Sequence, residues 1–226
     1  SVDTSVFKKL SRRDFIRYSS MALAAASFPI ITGCASKRPK QACLTKITAE
    51  MTGYHDKVFE ASNISGIRLN NRIIRSATTL GLGDKDGNPT EKLGEAYIEL
   101  AEGGVGAIIS GMVAVQKNGA PGMPNALLLH KDDQINAYQK LSAAAHKYNT
   151  PVIMQIAHSG RQTRRAIIGE TPVAPSPVPD KVYDEETPRR LTELEIKEII
   201  QHFIQSIERA KAAGFDGVQL HAAHGY

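Results

Sequence analysis

Asp216-Gly-Val-Gln-Leu-His-Ala-Ala-His-Gly-Tyr226 decides how this sequence is read. Asp216-Gly217 is a turn, and Val218-Gln219-Leu220 is a short apolar run with the character of a strand. The strand empties into His221, His224 and Tyr226. Three ring side chains that can donate hydrogen bonds, gathered at a strand's C-terminal end, point to a site rather than to a core.

Working outward, the segment just upstream carries the clearest helical signal. Thr192-x-x-Glu195 is a capping box, and Ile196, Ile199, Ile200, Phe203, Ile204 and Ile207 follow at i, i+3, i+4 spacing. Gly214 closes the helix. The same strand-and-helix unit recurs earlier without repeating in sequence. Arg72–Thr78, Val105–Ser110 and Val152–Ile156 read as strands. One helix is expected from a Thr90 cap to about Glu102, with Leu93, Tyr97 and Leu100 inward. Another is expected from about Asp132 to Lys147, with Ile135, Tyr138, Leu141 and Ala145 inward. A Gly/Pro-rich loop spans Lys117 to Asn125, and residues 158–190 form a long excursion containing Pro172 to Pro179. Loops of that length inside a domain are commonly functional.

Alternating strands and helices with apolar strands predict an α/β fold with a parallel sheet. A doubly wound sheet should carry G-x-G-x-x-G after its first strand, and the sequence has none there. Polar residues instead follow every strand: Ser76 to Thr79, Ser110-Gly111, Gln155 with His158, and His221 with His224. Side chains gathered at the C-terminal ends of successive strands are the pattern of a (β/α)8 TIM barrel. About four strands are countable, so the prediction is the N-terminal half of such a barrel.

The 226 residues suffice for one domain with a real core, and 42% apolar with 23% charged residues is ordinary globular composition. The net charge of +5 is mostly local, because residues 1–33 hold five basic residues against Asp3 and Asp14. With 6% aromatics, no tryptophan and no basic groove, the sequence argues against a nucleic-acid partner. Ser11-Arg-Arg-Asp-Phe-Ile-Arg17 resembles a twin-arginine export signal. The apolar run Met21 to Ile31 is too short to span a membrane, and Ile31-Thr-Gly-Cys34 resembles a lipoprotein lipobox. Residues 1–33 are therefore expected to be a signal peptide and residues 34–56 a tether lipid-anchored at Cys34 in a bacterial cell envelope. Residues 57–226 form the expected half-barrel.

Five stretches in order resemble the old yellow enzyme family of FMN-dependent NAD(P)H:flavin oxidoreductases. They are Asn71 to Thr78, Gly103 to Ser110, Gln155 to Arg161, Pro172 to Ser176, and Ala213 to Tyr226. The resemblance implies a barrel with FMN across its C-terminal mouth and NADH or NADPH as reductant. It implies FMN contacts from Ser76, Ala77, Thr78, Thr79, Gly111 and Gln155. The Gln155 amide offers both a donor and an acceptor to the pyrimidine edge, and Gly111 would let backbone approach a flat ring. It implies that His221 and His224 activate an electrophilic alkene and that Tyr226 donates a proton. The family's FMN-phosphate loops would fall beyond Tyr226, in a protein of about 350 to 450 residues extrapolated from barrel size. On that reading the 226 residues alone neither close a barrel nor hold FMN tightly.

The sequence departs from the family in the turn after the first strand, where Ala77 and Thr78 replace the proline and methionine often found there. Two other readings stand beside this one. His158, His221 and His224 could supply three imidazoles to zinc in a metal-dependent hydrolase. A catalytically incompetent lipoprotein is the other.

Overall fold

The computed structural model describes residues 56–181 and 186–226. The expected export signal, lipidation of Cys34 and tether fall on residues up to 55, outside the described residues. Among those described, no helix is long and apolar enough to cross a membrane.

After a short helix, α1 (Asp56–Phe59), strands β1 (Ser62–Ile64) and β2 (Ile67–Leu69) make an antiparallel hairpin. Its two turn residues, Ser65 and Gly66, both have positive φ, the twist that a two-residue hairpin needs. Asn63 Oδ1 accepts the Gly66 N–H at 2.8 Å and holds that turn. The barrel units follow. Strand β3 (Ile74–Arg75) leads to helix α2 (Glu91–Glu102), then β4 (Ala107–Ile109), β5 (Val113–Ala114) and β6 (Leu127–Leu128). Helix α3 (Ile135–His146), strand β7 (Val152–Ala157) and a one-turn helix α4 (Arg165–Ile168) come next. Strands β8 (Val173–Ala174) and β9 (Arg189–Arg190) pair in parallel inside the excursion. Helix α5 (Glu193–Ala212) and strand β10 (Gly217–Leu220) complete the described chain.

The main sheet is parallel throughout, with β3, β4, β7 and β10 side by side in chain order. This is the expected half of a (β/α)8 barrel. It contains two more strands than the sequence showed, because β5 and β6 extend its upper end. Each is two residues long, too short for any periodicity to register.

The break between β4 and β5 matters for the site. From Ile109 to Val113 the chain advances four residues, while its partner β7 advances three, from Ile153 to Ile156. One extra residue makes this a β-bulge, which bends the strand and re-aims side chains. The bulge leaves the Gln155 N–H without a ladder partner, and the buried Ser110 hydroxyl accepts it at 2.9 Å. The same hydroxyl donates to Gly111 O at 2.8 Å.

The core lies between the sheet and its helices, from Leu93 and Tyr97 of α2 through Tyr138 and Leu141 of α3 to Val152, Met154 and Ile156 of β7. Fully burying each such aliphatic chain contributes on the order of 1.5–3 kcal/mol. Tyr138 is entirely buried, yet its hydroxyl is satisfied by Leu128 O at 2.9 Å, with Gly87 O at 3.0 Å. At the lower end, Asp216 Oδ2 accepts the Val152 N–H at 2.7 Å and lies 2.8 Å from His146 Nε2. That carboxylate ties the entry of β10 to the entry of β7.

Three helix expectations change. Thr90 does not cap α2, because its hydroxyl donates to Leu82 O at 2.8 Å. The third buried residue of α2 is Ala101, and Leu100 only packs at the core's margin. A 3₁₀ turn, Asp132–Gln134, precedes α3 and displaces its start. The α5 capping box is present, with Thr192 Oγ1 accepting the Glu195 N–H at 3.2 Å. Its apolar stripe divides: Phe203 and Ile207 pack on the core, while Ile196, Ile200 and Ile204 are 41%, 51% and 46% exposed. In the excursion Arg165 bonds Glu186 and Arg189 bonds Glu195, each at 2.6 Å.

Candidate active site

A cleft of about 280 Å3 opens at the C-terminal ends of the strands. Ala77 and Thr79 reach it from the segment after β3, and Met112 from the bulge. Pro121, Gly122 and Met123 form a wall from the loop after β5. Gln155 on β7 faces it, and His221, His224 and Tyr226 enter from the segment after β10. Strand-end residues remote in sequence thus meet because the parallel sheet aligns all its C-terminal ends.

The three rings converge because the chain turns sharply after β10. His221 N still donates to Ile156 O at 3.0 Å, so this residue sits at the last rung of the ladder. His224 then takes a positive φ of 58° and Gly225 one of 87°, and Tyr226 N donates to Ala223 O at 3.1 Å. Gln162 Nε2 donates to the His224 carbonyl at 2.5 Å and pins the turn from the neighbouring loop. The His221 ring lies 5.7 Å from that of His224, edge to face, and 5.0 Å from that of Tyr226. Burial, and secondarily the nearby His224, hold the His221 pKa below its ordinary value. At neutral pH it is therefore an uncharged imidazole with one N–H to give.

The six residues expected to contact the cofactor divide. Ala77, Thr79 and Gln155 line the cleft, whereas Ser76, Thr78 and Gly111 do not. Thr78 and Gly111 border a separate small crevice beside Leu93 and Leu127. The Thr78 hydroxyl donates to Ser76 O at 3.2 Å. Gly111 packs tightly on its neighbour: a Cβ there would stand 2.7 Å from Thr78 O and 2.9 Å from Thr79 Cα. Its smallness lets the bulge pack directly on the segment that carries Thr79.

His158 is not in the cleft. The Gly160 N–H donates to its Nδ1 at 3.1 Å, which puts its own proton on Nε2, 3.4 Å from Asn118 Oδ1. Burial, with His202 nearby, lowers its pKa to about 4. Gly119 lies against the ring so closely that a Cβ would be 2.5 Å from His158 Cδ2. His158 therefore locks the loop after β5 to the loop after β7. Among the described residues no group of three or more His, Cys, Asp or Glu side chains is placed to hold a metal ion. The three-imidazole zinc reading accordingly loses the convergence it requires.

Sequence reasoning missed Met112, the Pro121–Met123 wall, Gln162 and Gln219. Gln219 had a legible signal: Met154-Gln-Ile and Val218-Gln-Leu each set a glutamine between apolar strand residues. The wall had none, since only the loop's path brings it to the mouth.

The cleft suits a flat, partly polar ring. Met112, Ala77 and Met123 supply apolar surface, and one amide and three hydrogen-bonding rings supply polarity. No Lys or Arg is among its lining residues, so the fit concerns a flavin ring and not a phosphate tail.

Comparison with known proteins agrees with this architecture. The chain is 40% identical over 170 residues to an NADH oxidase of Thermoanaerobacter brockii, covering 75% of this chain and 26% of that protein. It is 35% identical over 173 residues to an NADPH dehydrogenase of Listeria monocytogenes, covering 75% of this chain and 49% of that one. The old yellow enzyme homologue from Zymomonas mobilis superposes with a TM-score of 0.67 at 32% identity, over 75% of this chain and 49% of that structure. The chain thus spans between a quarter and a half of the length of these relatives. Residues 57–226 match the family model as well, and the chain belongs to the NADH:flavin oxidoreductase / NADH oxidase family.

Proposed function

We propose that the protein containing this chain is an FMN-dependent NAD(P)H oxidoreductase that reduces activated C=C bonds of enone or enoate type. The observation that carries this reading is the convergence of His221, His224 and Tyr226 on a cleft that Gln155 and Thr79 also line.

Gln155 and Thr79 would hold the ring's polar edge, and Ala77 and Met112 its faces. When bound, FMN would supply the hydride chemistry for which NADH or NADPH is the reductant. His221 and His224 donate hydrogen bonds to the substrate's carbonyl or nitro oxygen, which draws electron density from the conjugated alkene. The neutral state of His221 suits this role, since it donates without itself being an acid at pH 7. Tyr226, a phenol whose ordinary pKa is near 10, delivers the proton to the α-carbon. Its ring lies against His221, so donor and activator address one substrate. Met112 and Pro121 to Met123 would flank the ring with apolar surface.

The test uses the full-length protein with FMN, NADH or NADPH, and a cyclic enone. The wild type should be yellow and consume nicotinamide in step with enone. Tyr226→Phe should lose about 10²-fold or more of enone reduction, the usual scale of general-acid catalysis, while still being reduced by nicotinamide. A colourless protein carrying stoichiometric zinc would overturn the proposal. So would a Tyr226→Phe variant with undiminished enone reduction.

A further inference from the structure

Gln219 has no part in the mechanism above, yet its side chain hydrogen-bonds the Gln155 amide. The two are register partners across the parallel β7–β10 pair, so both side chains leave the sheet on the same face. Gln155 Nε2 donates to Gln219 Oε1 at 2.8 Å. The Gln155 backbone is fixed independently by the Ser110 hydroxyl at the bulge.

A primary amide presents a donor end and an acceptor end of nearly equal size, so its partners choose which end faces a ligand. With one Nε2 hydrogen committed to Gln219, Gln155 offers the cleft its Oε1 as acceptor and its second N–H as donor. That pair complements an N–H next to a carbonyl, the arrangement along a flavin's pyrimidine edge.

Resting on the flavin reading above, we propose that Gln219 is a positioning residue for the cofactor: it holds the Gln155 amide toward the ring, and its lack of charge keeps that corner of the site neutral. Two-electron reduction by NAD(P)H adds negative charge to the ring system, and it is opposed by any fixed negative charge close by. A carboxylate at position 219 would preserve the acceptor for Gln155 Nε2 but add that charge. An aliphatic side chain would remove the acceptor and add none. The two substitutions therefore separate positioning from electrostatics.

The experiment uses the full-length protein, reconstituted with FMN, as wild type, Gln219→Glu and Gln219→Leu. FMN dissociation constants come from quenching of flavin fluorescence, and midpoint potentials from equilibration with reference dyes. Gln219→Leu should weaken FMN binding about fivefold, the worth of one net hydrogen bond. Gln219→Glu, which is isosteric and keeps the acceptor, should bind FMN within about twofold of wild type, below that hydrogen-bond scale, and show a lower midpoint potential. Wild-type affinity in Gln219→Leu, or an unchanged potential in FMN-loaded Gln219→Glu, overturns the inference while leaving the flavin reading intact. A wild type that binds no FMN overturns both.

Discussion

Acidification should destabilise this protein through His158, and the size of the effect follows from how the ring is held. Gly160 N–H donates to Nδ1, so a proton added there would confront another donor. Burial of the ring, with His202 nearby, lowers its pKa to about 4. An unfolded chain restores an ordinary histidine pKa of about 6.5. Below pH 6.5 the unfolded state therefore binds more protons than the folded state, and stability falls as pH drops from 6.5 through about 4. At 1.36 kcal/mol per pKa unit the full loss is about 3 kcal/mol, of which about 2 kcal/mol is gone by pH 5. Urea denaturation at pH 7.5 and pH 5.0 measures this directly, with His158→Gln as the reference that cannot titrate. The wild type should lose about 2 kcal/mol more than His158→Gln between those two pH values. Equal losses in the two proteins would refute the assignment of a neutral, buried His158.

Gly111→Ala should shift the segment carrying Thr79, because the new Cβ would meet Thr78 O at 2.7 Å. Overpacking of this kind costs about 1–3 kcal/mol, and it should appear as a lower thermal midpoint together with weaker FMN binding; an unaltered midpoint would show that the two segments are not packed as described. For the N-terminal region we propose twin-arginine export and lipidation at Cys34. Replacing Arg12 and Arg13 by lysine in a fusion of residues 1–40 to a reporter should abolish export, and export that survives would exclude the twin-arginine route. Cys34→Ser should release the exported protein from the membrane fraction, and unchanged membrane retention would exclude a lipid at that position.

The parts of the fold that depend on local chemistry were readable from residue types and spacing. The Thr192–Glu195 box started α5 where the sequence placed it, and Gly214 ended it with a φ of 76°. The strand cores around Ile108, Met154 and Gln219 were legible because apolar runs between helices have few other uses. His221, His224, Tyr226, Gln155, Thr79 and Ala77 stood out in the sequence because they sit at or just after strand ends, and all six line the cleft. The remaining features depend on which distant segments meet. Whether Thr90 caps a helix or bonds Leu82 depends on a loop passing nearby, which no local pattern encodes. The bulge at Ser110 to Met112 exists only relative to β7, since an extra residue can be counted only against a partner strand. Gly111 meets Thr78 and Thr79 only in the folded chain, and the β7–β10 register sets Gln219 beside Gln155. His158 was moved from the site to the scaffold by one backbone N–H from Gly160 and one close glycine. Residue types and spacing specify what a side chain can do, but which neighbours it meets is set by register and loop path.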